Sequence, residues 1–341
     1  MTIKDLARES GYSLGTVSRV LNNQPNVSEK ARTAILAIAE RHGFELNQSA
    51  QSLKQQRSNA VLIIVKGTAN EMFATMVEQL QSLFSRTTHP LIVDFIDEDD
   101  NEVLRAVRLC RERKPMGLMF LGGTNCNFEA DFDKITVPAV VVTNDASTLP
   151  FDNLSSVTTN DLQGAACAVD YLIHCGHRKI AVLGGDRTLS DTSAQRYAGC
   201  LEAFHRHGLE FDDGIYYHTG RYSYEEGYKG MRRAPKVSAV FAMADVIAIG
   251  AMRALADAHL RVPEDISIIG YDGLKIGGFY TPQLSTIAQP TELLAKRSFS
   301  VLMACCEHGA PARHMTVPFA FQNRESVCRH ADATNSAKED D

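Results

Sequence analysis

Residues able to hydrogen-bond a nucleic acid lie close together near the N-terminus, in the segment SGYSLGTVSRVLN from Ser10 to Asn22. An arginine such as Arg19 can donate two parallel hydrogen bonds to guanine O6 and N7, or it can clamp a phosphate. Hydroxyl and amide side chains can bond to phosphates or base edges, and this segment supplies Ser13, Thr16, Ser18 and Asn22. Leu14 could contact a thymine methyl, and Gly15 would allow the backbone to come close. The residue types therefore predict a surface that reads DNA.

These side chains need a helix to present them, and the apolar spacing predicts three short helices. Thr2 can cap the first helix and Gly11 can end it, while Ser13 and Ser28 can cap the second and third. The inward faces are predicted to hold Ile3, Leu6 and Ala7; Val17, Val20 and Leu21; and Ala31, Ala34, Ile35 and Ile38. Helices this short are unstable alone, so their apolar faces must pack together. A short glycine turn between two helices indicates a helix-turn-helix, whose second helix enters the major groove; a bundle with a merely solvated polar face is the alternative.

Charge and composition describe the rest of the chain. It has 341 residues and a net charge of −6, with 44% hydrophobic and 22% charged residues, as in ordinary globular proteins. Residues 1–57 carry eight Lys/Arg against five Asp/Glu, so a basic head of +3 precedes a body of −9. This asymmetry is typical of a nucleic-acid module attached to another domain. No apolar run approaches the roughly 18 residues of a membrane span, and the polar N-terminus is unlike a signal peptide. We expect a cytoplasmic protein whose cysteines are reduced.

After residue 60, apolar strands alternate with helical stretches. Strands are predicted at Val61–Val65, Leu91–Ile96, Gly117–Leu121, Ala139–Thr143, Lys179–Leu183, Ile215–His218, Ala239–Met243 and Ile266–Tyr271. Helices are predicted between them, among others at Met72–Leu83, Glu102–Glu112, Gln163–His174 and Asp245–Ala258. This alternation predicts doubly wound parallel sheets, and eight strands over about 270 residues predict two lobes. In such folds, ligands bind in the cleft outside the carboxyl ends of the strands.

Other clusters of chemically active residues do not fit a functional site. The acidic run DEDDNE (Asp97–Glu102) resembles a calcium loop, but Glu102 stands where the loop needs glycine and Arg108 where it needs glutamate. The pairs His174–His177 and His205–His207 lack partner ligands at metal spacing. Neither G-x-x-x-x-G-K-[ST] nor G-x-S-x-G occurs, and no acid–base pair stands out. The sequence therefore predicts no enzyme, no cofactor, and no catalytic or metal-binding residue.

The N-terminal residues resemble the head of the lactose-repressor-like (LacI/GalR) family of bacterial regulators. The similarity runs through TIKDLARESGYSLGTVSRVLNNQPNVSEKARTAILAIAERHGFELN, and its specific parts are T-V-S-R-V-L-N and V-S-x-x-x-R. In that family the pair at Leu14–Gly15 helps to set operator choice. Asn47, Ala50 and Leu53 match the family's hinge pattern P-N-x-x-A-x-x-L, although Leu46 replaces the proline. The resemblance implies a hinge helix that wedges its leucine into the minor groove, whereas composition alone predicts a solvated linker.

The body resembles the effector core of the same family. The matching segments, in chain order, are NDLQGAACAVDYLIHCGHRKIAVLGG, SAQRYAGCLEAF, IGAMRAL, VPEDISIIGYDG, TPQLSTIAQP and NRESV. They imply an α/β two-lobed periplasmic-binding-protein-like effector domain, with crossover strands between the lobes near Val157, Gln289 and Phe319. The C-terminal tail is polar and lacks the leucine heptads that make the lactose repressor tetrameric, which predicts a homodimer.

Domain boundaries follow from these similarities. The predicted fold class is an N-terminal all-α helix-turn-helix DNA-binding domain plus an α/β two-lobed effector domain with doubly wound parallel sheets. The helix-turn-helix domain is predicted at residues 1–45, the hinge at 46–57 and the effector-binding and dimerisation domain at 58–327. Within that domain, one lobe is predicted at 58–156 plus 289–318 and the other at 157–288 plus 319–327. A disordered tail is predicted at 328–341.

The resemblance also implies a set of effector-binding residues. Arg196 occupies the effector arginine of S-x-x-R-x-x-G, Asp272 follows a strand in a Y-D motif, and Tyr222 takes the place of an aromatic platform. Phe73 and Gln289 fall on cleft positions as well. The sequence departs from the family at two polar positions, because Ala244 replaces the asparagine of A-N-D and Thr143 replaces an acid.

Together these features predict a transcription regulator that binds a near-palindromic DNA operator and a small-molecule effector. The predicted DNA-binding residues are Thr2, Ser13, Leu14, Gly15, Thr16, Ser18, Arg19, Asn22, Asn47, Ala50 and Leu53. The first hypothesis is a repressor of a carbohydrate-utilisation operon that a small sugar or sugar phosphate releases. The alternative is a purine- or nucleoside-responsive regulator with a corepressor, which Ala244 leaves open. A third hypothesis, an enzyme or a solute-binding protein on the same body, conflicts with the DNA-binding head and the polar N-terminus.

Overall fold

The computed structural model describes residues 3–21, 27–42, 58–67 and 70–330. The chain forms two compact units, divided between Ser58 and Asn59. The N-terminal unit is helical, and the larger unit is built on two mainly parallel sheets, which confirms the predicted fold class. Within the described ranges, no helix is long and apolar enough to cross a membrane.

In its described residues, the N-terminal unit has three helices: α1 (Ile3–Ser10), α2 (Leu14–Leu21) and α3 (Glu29–Arg41). Leu6, Val17 and Ile35 are fully buried where these helices meet. The inward face of α3 differs slightly from the prediction, because Ala39 is buried, whereas Ala34 and Ile38 are only partly covered. This core fixes one face of α2 and leaves its other face outside.

The ends of these helices follow from local chemistry. Gly11 adopts a left-handed φ of 71°, which ends α1 without the steric penalty that a side chain would bring. The hydroxyl of Ser13 accepts a hydrogen bond from the Thr16 N–H at 3.2 Å, and that of Ser28 accepts one from the Ala31 N–H at 3.3 Å. Ser13 and Ser28 therefore act as the predicted N-caps of α2 and α3. Thr2, the predicted cap of α1, lies outside the described residues.

The first lobe of the larger unit is a six-stranded parallel sheet. Its strands are β1 (Val61–Lys66), β2 (Leu91–Ile96), β3 (Gly117–Leu121), β4 (Ala139–Val142), β5 (Leu154–Thr159) and β11 (His314–Val317). They lie in the order β11-β5-β4-β3-β1-β2, every pair parallel. Its helices are α4 (Glu71–Phe84), α5 (Glu102–Arg113), α6 (Asn125–Asp131) and α12 (Thr291–His308). Because helices cover both faces, a central strand such as β1 is a continuous apolar run.

The second lobe is a six-stranded sheet of the same kind. Its strands are β6 (Ile180–Gly184), β7 (Tyr217–Thr219), β8 (Ala239–Ala242), β9 (Ser267–Asp272), β10 (Ser285–Ala288) and β12 (Ala320–Gln322). They lie in the order β12-β10-β9-β8-β6-β7, and the pair β10–β12 is antiparallel. Its helices are α7 (Asp161–His174), α8 (Asp191–Arg206), α9 (Asp213–Tyr216), α10 (Tyr224–Arg233) and α11 (Asp245–Asp257).

Glycines allow helices of the second lobe to approach backbone to backbone. A Cβ at Gly227 of α10 would overlap the carbonyl oxygen of Ile247 in α11, and a Cβ at Gly250 would overlap that of Tyr224. The two helices therefore pack more closely than helices separated by side chains, and the start of α10, which lies at the cleft, is held firmly.

The chain passes between the lobes after β5, after β10 and after β11. The first passage differs from the predicted boundary, because β5 continues to Thr159 within the first sheet instead of entering the second lobe at residue 157. The strand LSSVTT carries hydroxyl residues on a buried surface, so its sequence lacks the apolar run that revealed its neighbours.

Three further expectations are corrected. The predicted strand Ile215–His218 begins as the short helix α9 and becomes a strand only at Tyr217. The short strands β10, β11 and β12 were not among the strands predicted from apolar runs, although the resemblance implied crossover strands near Gln289 and Phe319. The predicted tail begins too early, because the Cys328 N–H donates to the Ser267 hydroxyl at 3.0 Å and the His330 N–H donates to the Cys175 carbonyl at 2.8 Å.

Candidate functional site

The outer face of α2 presents the predicted DNA-reading side chains together. Ser13, Leu14, Gly15 and Arg19 are exposed, and Thr16 and Ser18 are half-buried. Leu14, an apolar residue, keeps 43% of its surface exposed. The predicted contacts Thr2, Asn22, Asn47, Ala50 and Leu53 lie outside the described residues.

A cleft of about 630 Å³ lies within the larger unit, at the carboxyl ends of the strands of both sheets. On the first lobe its lining includes Lys66 at the end of β1, Gly122 after β3 and Thr143 after β4. On the second lobe it includes Gly185 after β6 and Asp272 at the end of β9, besides others. Parallel strands bring residues that are distant in sequence to one edge of each sheet, so the topology builds this cleft.

Arg196 lies in the cleft wall with its guanidinium fixed from several sides. Its Nε donates to an Asp161 carboxylate oxygen at 2.7 Å, and another guanidinium nitrogen donates to the Met243 carbonyl. The plane of the guanidinium lies 3.6 Å from the centroid of the Tyr271 ring. The side chain is only 3% exposed. Arg196 is therefore a rigid donor that its neighbours hold in place, as the planar group of an arginine allows.

Asp272 lies beside Arg196, 3.6 Å from its nearer guanidinium nitrogen. The residue has a φ of 104°, an uncommon backbone conformation for any residue except glycine. Burial raises the pKa of Asp272 to about 6, although the Arg196 charge and the Gln289 hydrogen bond oppose this rise. The carboxylate is therefore a buried acceptor that faces the cleft.

Gln289 supports Asp272 from behind instead of lining the cleft. Its amide nitrogen donates to an Asp272 carboxylate oxygen at 2.8 Å, and its amide oxygen accepts from the Thr159 hydroxyl at 2.8 Å. Residue 159 ends β5 and residue 289 follows β10, so this contact lies where the chain passes between lobes. Gln289, a predicted effector contact, is not part of the cleft lining in this structure and bonds to Asp272 from behind.

Phe73 and Tyr222 supply the aromatic surface of the cleft. The Phe73 ring packs close to the backbone of Gly122, where a Cβ would lie 3.0 Å from the ring. The Tyr222 ring packs in the same way on Gly185, and its hydroxyl lies 2.8 Å from that of Ser193. Each ring packs against a glycine that has no side chain to displace it, so the positions of both rings are fixed.

The two positions that depart from the family have different locations. Thr143 lines the cleft with a φ of 76°, and its neighbour Asn144 also lines it while donating to the Gly123 carbonyl at 2.7 Å. Ala244 is 1% exposed and is not part of the lining. The cleft therefore keeps a polar group beside Thr143.

An acidic loop that the sequence analysis set aside lines the cleft mouth. Asp97, Glu98 and Asp99 follow β2 directly and all contact Arg221, which follows β7 on the other lobe. The Arg221 Nε lies 3.1 Å from a Glu98 carboxylate oxygen. Burial raises the pKa of Glu98, and the Arg221 charge opposes this rise. Their place at the carboxyl ends of parallel strands was a signal that could have identified these residues.

Further hydrogen bonds join the two lobes around the cleft. The Thr124 hydroxyl donates to the Leu189 carbonyl at 3.2 Å, and the Asn125 N–H donates to the Asp191 carboxylate at 2.5 Å. The Tyr224 hydroxyl donates to the Glu71 carboxylate. These contacts bridge the two lobes beside the cleft.

The histidine and acidic clusters that were rejected as metal sites do not gather ligands. His174 and His207 meet edge to face at 5.1 Å, and His207 pairs with Asp170 at 3.0 Å. Over the described part of the chain, no group of three or more His, Cys, Asp or Glu side chains is arranged to hold a metal ion.

Comparison with known proteins matches both parts of the chain. Residues 2–47 match the family of bacterial regulatory proteins, lacI family, and residues 169–327 match a periplasmic binding protein-like domain. The HTH-type transcriptional regulator MalR of Clostridium butyricum is 31% identical over 335 residues, with 96% of this chain and 99% of MalR covered. The ribose operon repressor of Escherichia coli (strain K12) is 30% identical over 310 residues, with 89% and 92% covered.

A solved structure extends the comparison to three dimensions. The crystal structure of the lac repressor dimer bound to operator and the anti-inducer ONPF has a TM-score of 0.80 and 26% identity. The match covers 96% of this chain and 99% of that chain. Both units of the chain therefore have counterparts in one known regulator.

Proposed function

The chain belongs to the lacI family of bacterial regulatory proteins, and we propose from this premise that it represses a carbohydrate-utilisation operon until a small sugar or sugar phosphate releases it from DNA. The observation that carries the proposal is the cleft, where a buried carboxylate, a fixed guanidinium and two aromatic rings surround one space. Its acceptors and planar donor can bond to sugar hydroxyls, and its rings can cover an apolar sugar face.

We further propose that α2 reads the operator. Its outer face offers Arg19 as a bidentate donor, and the hydroxyls of Thr16 and Ser18 lie on the same short helix. A helix of this kind places its N-terminal residues against base edges in the major groove. In a homodimer two such helices would read two halves of a near-palindromic site, and the assembly of the lac repressor relative as a dimer supports this arrangement.

The link between cleft and DNA is proposed to be the segment of residues 46–57. Its predicted minor-groove contacts, Asn47, Ala50 and Leu53, lie outside the described residues. An effector that favours one arrangement of the lobes would alter the order of this segment, because a ligand shifts a protein toward the state that it binds better. The effector would be bound and released unchanged, without catalysis.

The test measures operator binding and effector response in one system. An operator is first selected from random DNA by the purified full-length chain, and its affinity is measured by fluorescence anisotropy. Sugars, sugar phosphates, purines and nucleosides are then added separately. We expect one sugar or sugar phosphate to weaken operator binding at least about tenfold, a shift of roughly 1.4 kcal/mol, and to be recovered unchanged. Tighter operator binding with a purine would contradict the proposal and favour a corepressor.

A further inference from the structure

The charge of the cleft restricts its ligand further than its shape does. Six acidic side chains line it against three basic ones; the acids are Asp97, Glu98, Asp99, Asp186, Glu226 and Asp272, and the bases are Lys66, Arg196 and Arg221. The lining therefore carries a formal charge of −3. Residues 68 and 69, which the structure does not describe, are threonine and alanine and carry no charge.

Each of the three basic groups in this lining is already bound to carboxylates. Lys66 Nζ lies 2.6 Å from an oxygen of Glu102, a side chain with no exposed surface. Arg196 is paired with buried Asp161, and Arg221 with the three acids of the loop after β2. Turning Lys66 or Arg196 toward a ligand anion would leave a buried carboxylate without its partner, which is strongly unfavourable.

We infer that the effector is an uncharged carbohydrate, and that the cleft excludes phosphorylated and carboxylated forms of the same carbohydrate. This inference rests on the proposed function and narrows it to one class of effector. A phosphate would bring negative charge into a space that already has an excess of it, with no unengaged cation in the lining to compensate. A neutral sugar avoids this repulsion, because carboxylates such as Asp272 accept hydrogen bonds from hydroxyl groups.

The neutral sugar also fits the other surfaces of the cleft. Phe73 on one lobe and Tyr222 on the other offer ring surface for the C–H groups of a sugar. The cleft volume of about 630 Å³ lies within the usual range for small-molecule sites, about 300–1,000 Å³.

The experiment compares matched ligands by calorimetry on the full-length protein. Glucose, galactose and ribose are each tested beside their terminal phosphates, and glucuronate and galacturonate are added for the two hexoses. We expect at least one neutral sugar to bind, and its charged forms to bind at least about tenfold more weakly at low ionic strength. The gap should narrow as salt is added, because salt screens the exposed part of the repulsion.

A pair of variants tests whether the cleft charge causes this discrimination. E98Q removes one charge from the lining while keeping its shape and its ability to accept from Arg221. E264Q removes the same charge from an exposed residue before β9, at the opposite end of that strand from Asp272. We expect E98Q to reduce the discrimination between the neutral sugar and its phosphate several-fold, and E264Q to leave it unchanged.

The possible negative results distinguish a wrong effector class from a wrong proposed function. A phosphate or uronate that binds as tightly as its neutral parent would overturn the inference and leave the proposed sugar-responsive repressor intact. Binding of a purine with no binding by any of the carbohydrates would overturn the proposed function and the inference together. An equal effect of E98Q and E264Q would show that the cleft charge does not determine the discrimination.

Discussion

Asp272 combines three properties that are rarely found in one residue: burial, a left-handed backbone and a place at the end of a central strand. Burial raises its pKa to about 6. Asp245, a buried acid nearby, accepts from the Thr286 hydroxyl at 2.7 Å, and burial together with the Asp272 charge raises its pKa to about 8. Arg196 and Asp161 complete this buried group of charges. We therefore expect ligand binding and proton binding to be coupled in this cleft.

We predict that sugar affinity falls as the pH drops through about 6, because protonated Asp272 loses capacity to accept hydrogen bonds from sugar hydroxyls. D272N should weaken binding by about 1.5–3 kcal/mol, the range for hydrogen bonds to charged groups, and should remove most of this pH dependence. Calorimetry between pH 5 and 8 measures both effects, with E264Q as the control. Constant affinity of the unaltered protein across this range would contradict the prediction.

Arg196 is also important for stability, because it pairs with the buried acids Asp161 and Asp272. We predict that R196M lowers the free energy of unfolding by about 3–5 kcal/mol, because Asp161 and Asp272 would remain buried without their partner. The control is R253M, which removes an exposed arginine paired with Asp257 and should lower it by less than about 1 kcal/mol. Urea unfolding measures both variants. If R196M lowered the free energy of unfolding as little as R253M does, Asp161 would be able to protonate or reach water without penalty.

At the scale of single elements, α2 carries the residues that stabilise the fold on one face and the residues predicted to read DNA on the other. Its inner face carries Val17 and Val20, which are buried, and its outer face carries exposed Arg19. We predict that R19A weakens specific operator binding by about 1–3 kcal/mol, the contribution of one bidentate arginine–guanine pair, without lowering the melting temperature. Anisotropy with operator and scrambled DNA measures the loss of discrimination. R41A, which removes an exposed charge from the last turn of α3, should retain that discrimination. If R19A lost equal affinity for operator and for scrambled DNA, Arg19 would be assigned to phosphate contacts.

The close contact between α10 and α11 gives a second prediction at this scale. G227A would place a methyl group against the Ile247 backbone, so the two helices must separate. We expect a loss of about 1–3 kcal/mol, the usual range for overpacking. On the same helix, a Cβ at Gly230 would meet the Leu183 side chain at 3.3 Å and the His218 Cβ at 3.8 Å, so G230A should be tolerated or should stabilise through helix propensity. Thermal unfolding of the pair measures this contrast.

Strongly patterned elements could be predicted from the sequence. The strand Gly117–Leu121, which is buried on both faces, has the predicted bounds, because a continuous apolar run identifies it. The edge strand Leu91–Ile96 also has the predicted bounds, although it is only partly buried. Strand β5 was not among the strands predicted from apolar runs, and only the resemblance implied a crossover strand near Val157. Its serines and threonines bond within the larger unit: the Ser155 hydroxyl accepts from the Arg313 N–H at 3.1 Å. Such a partner is nearly half the chain away and leaves no local pattern.

The candidate site, too, could be predicted from the sequence only in part. Arg196, Asp272, Tyr222 and Phe73 are brought to one cleft, and their positions had been inferred from resemblance to known regulators. The acidic loop and Arg221 were missed because their significance depends on pairing between two lobes. An acidic run is usually a solvated loop, and only the tertiary fold brings Arg221 to it.

At the scale of the whole larger unit, contacts across the cleft mouth favour the closed lobes. We predict that R221A loosens this arrangement and lowers sugar affinity several-fold, because closure then gains fewer charged contacts. Hydrogen exchange should become faster in the loops around Gly122–Thr124 and Asp186–Ser190. R232A, which removes an exposed arginine from α10, serves as the control. Unchanged exchange and affinity in R221A would show that these ion pairs contribute little, as is common for exposed pairs.

The three passages of the chain between the lobes also set the order in which the protein can be made. Helix α12 contacts α4, β3, β4 and β5 of the first lobe, and β11 forms its edge, yet both emerge from the ribosome after most of the second lobe. At translation rates of about 5–20 residues per second, the first lobe waits roughly 10–30 s for its last pieces. During that interval the apolar surface that α12 will cover is exposed to solvent. A nascent chain of this topology is therefore a natural client for chaperones, and a stop codon before residue 291 would leave both lobes incomplete.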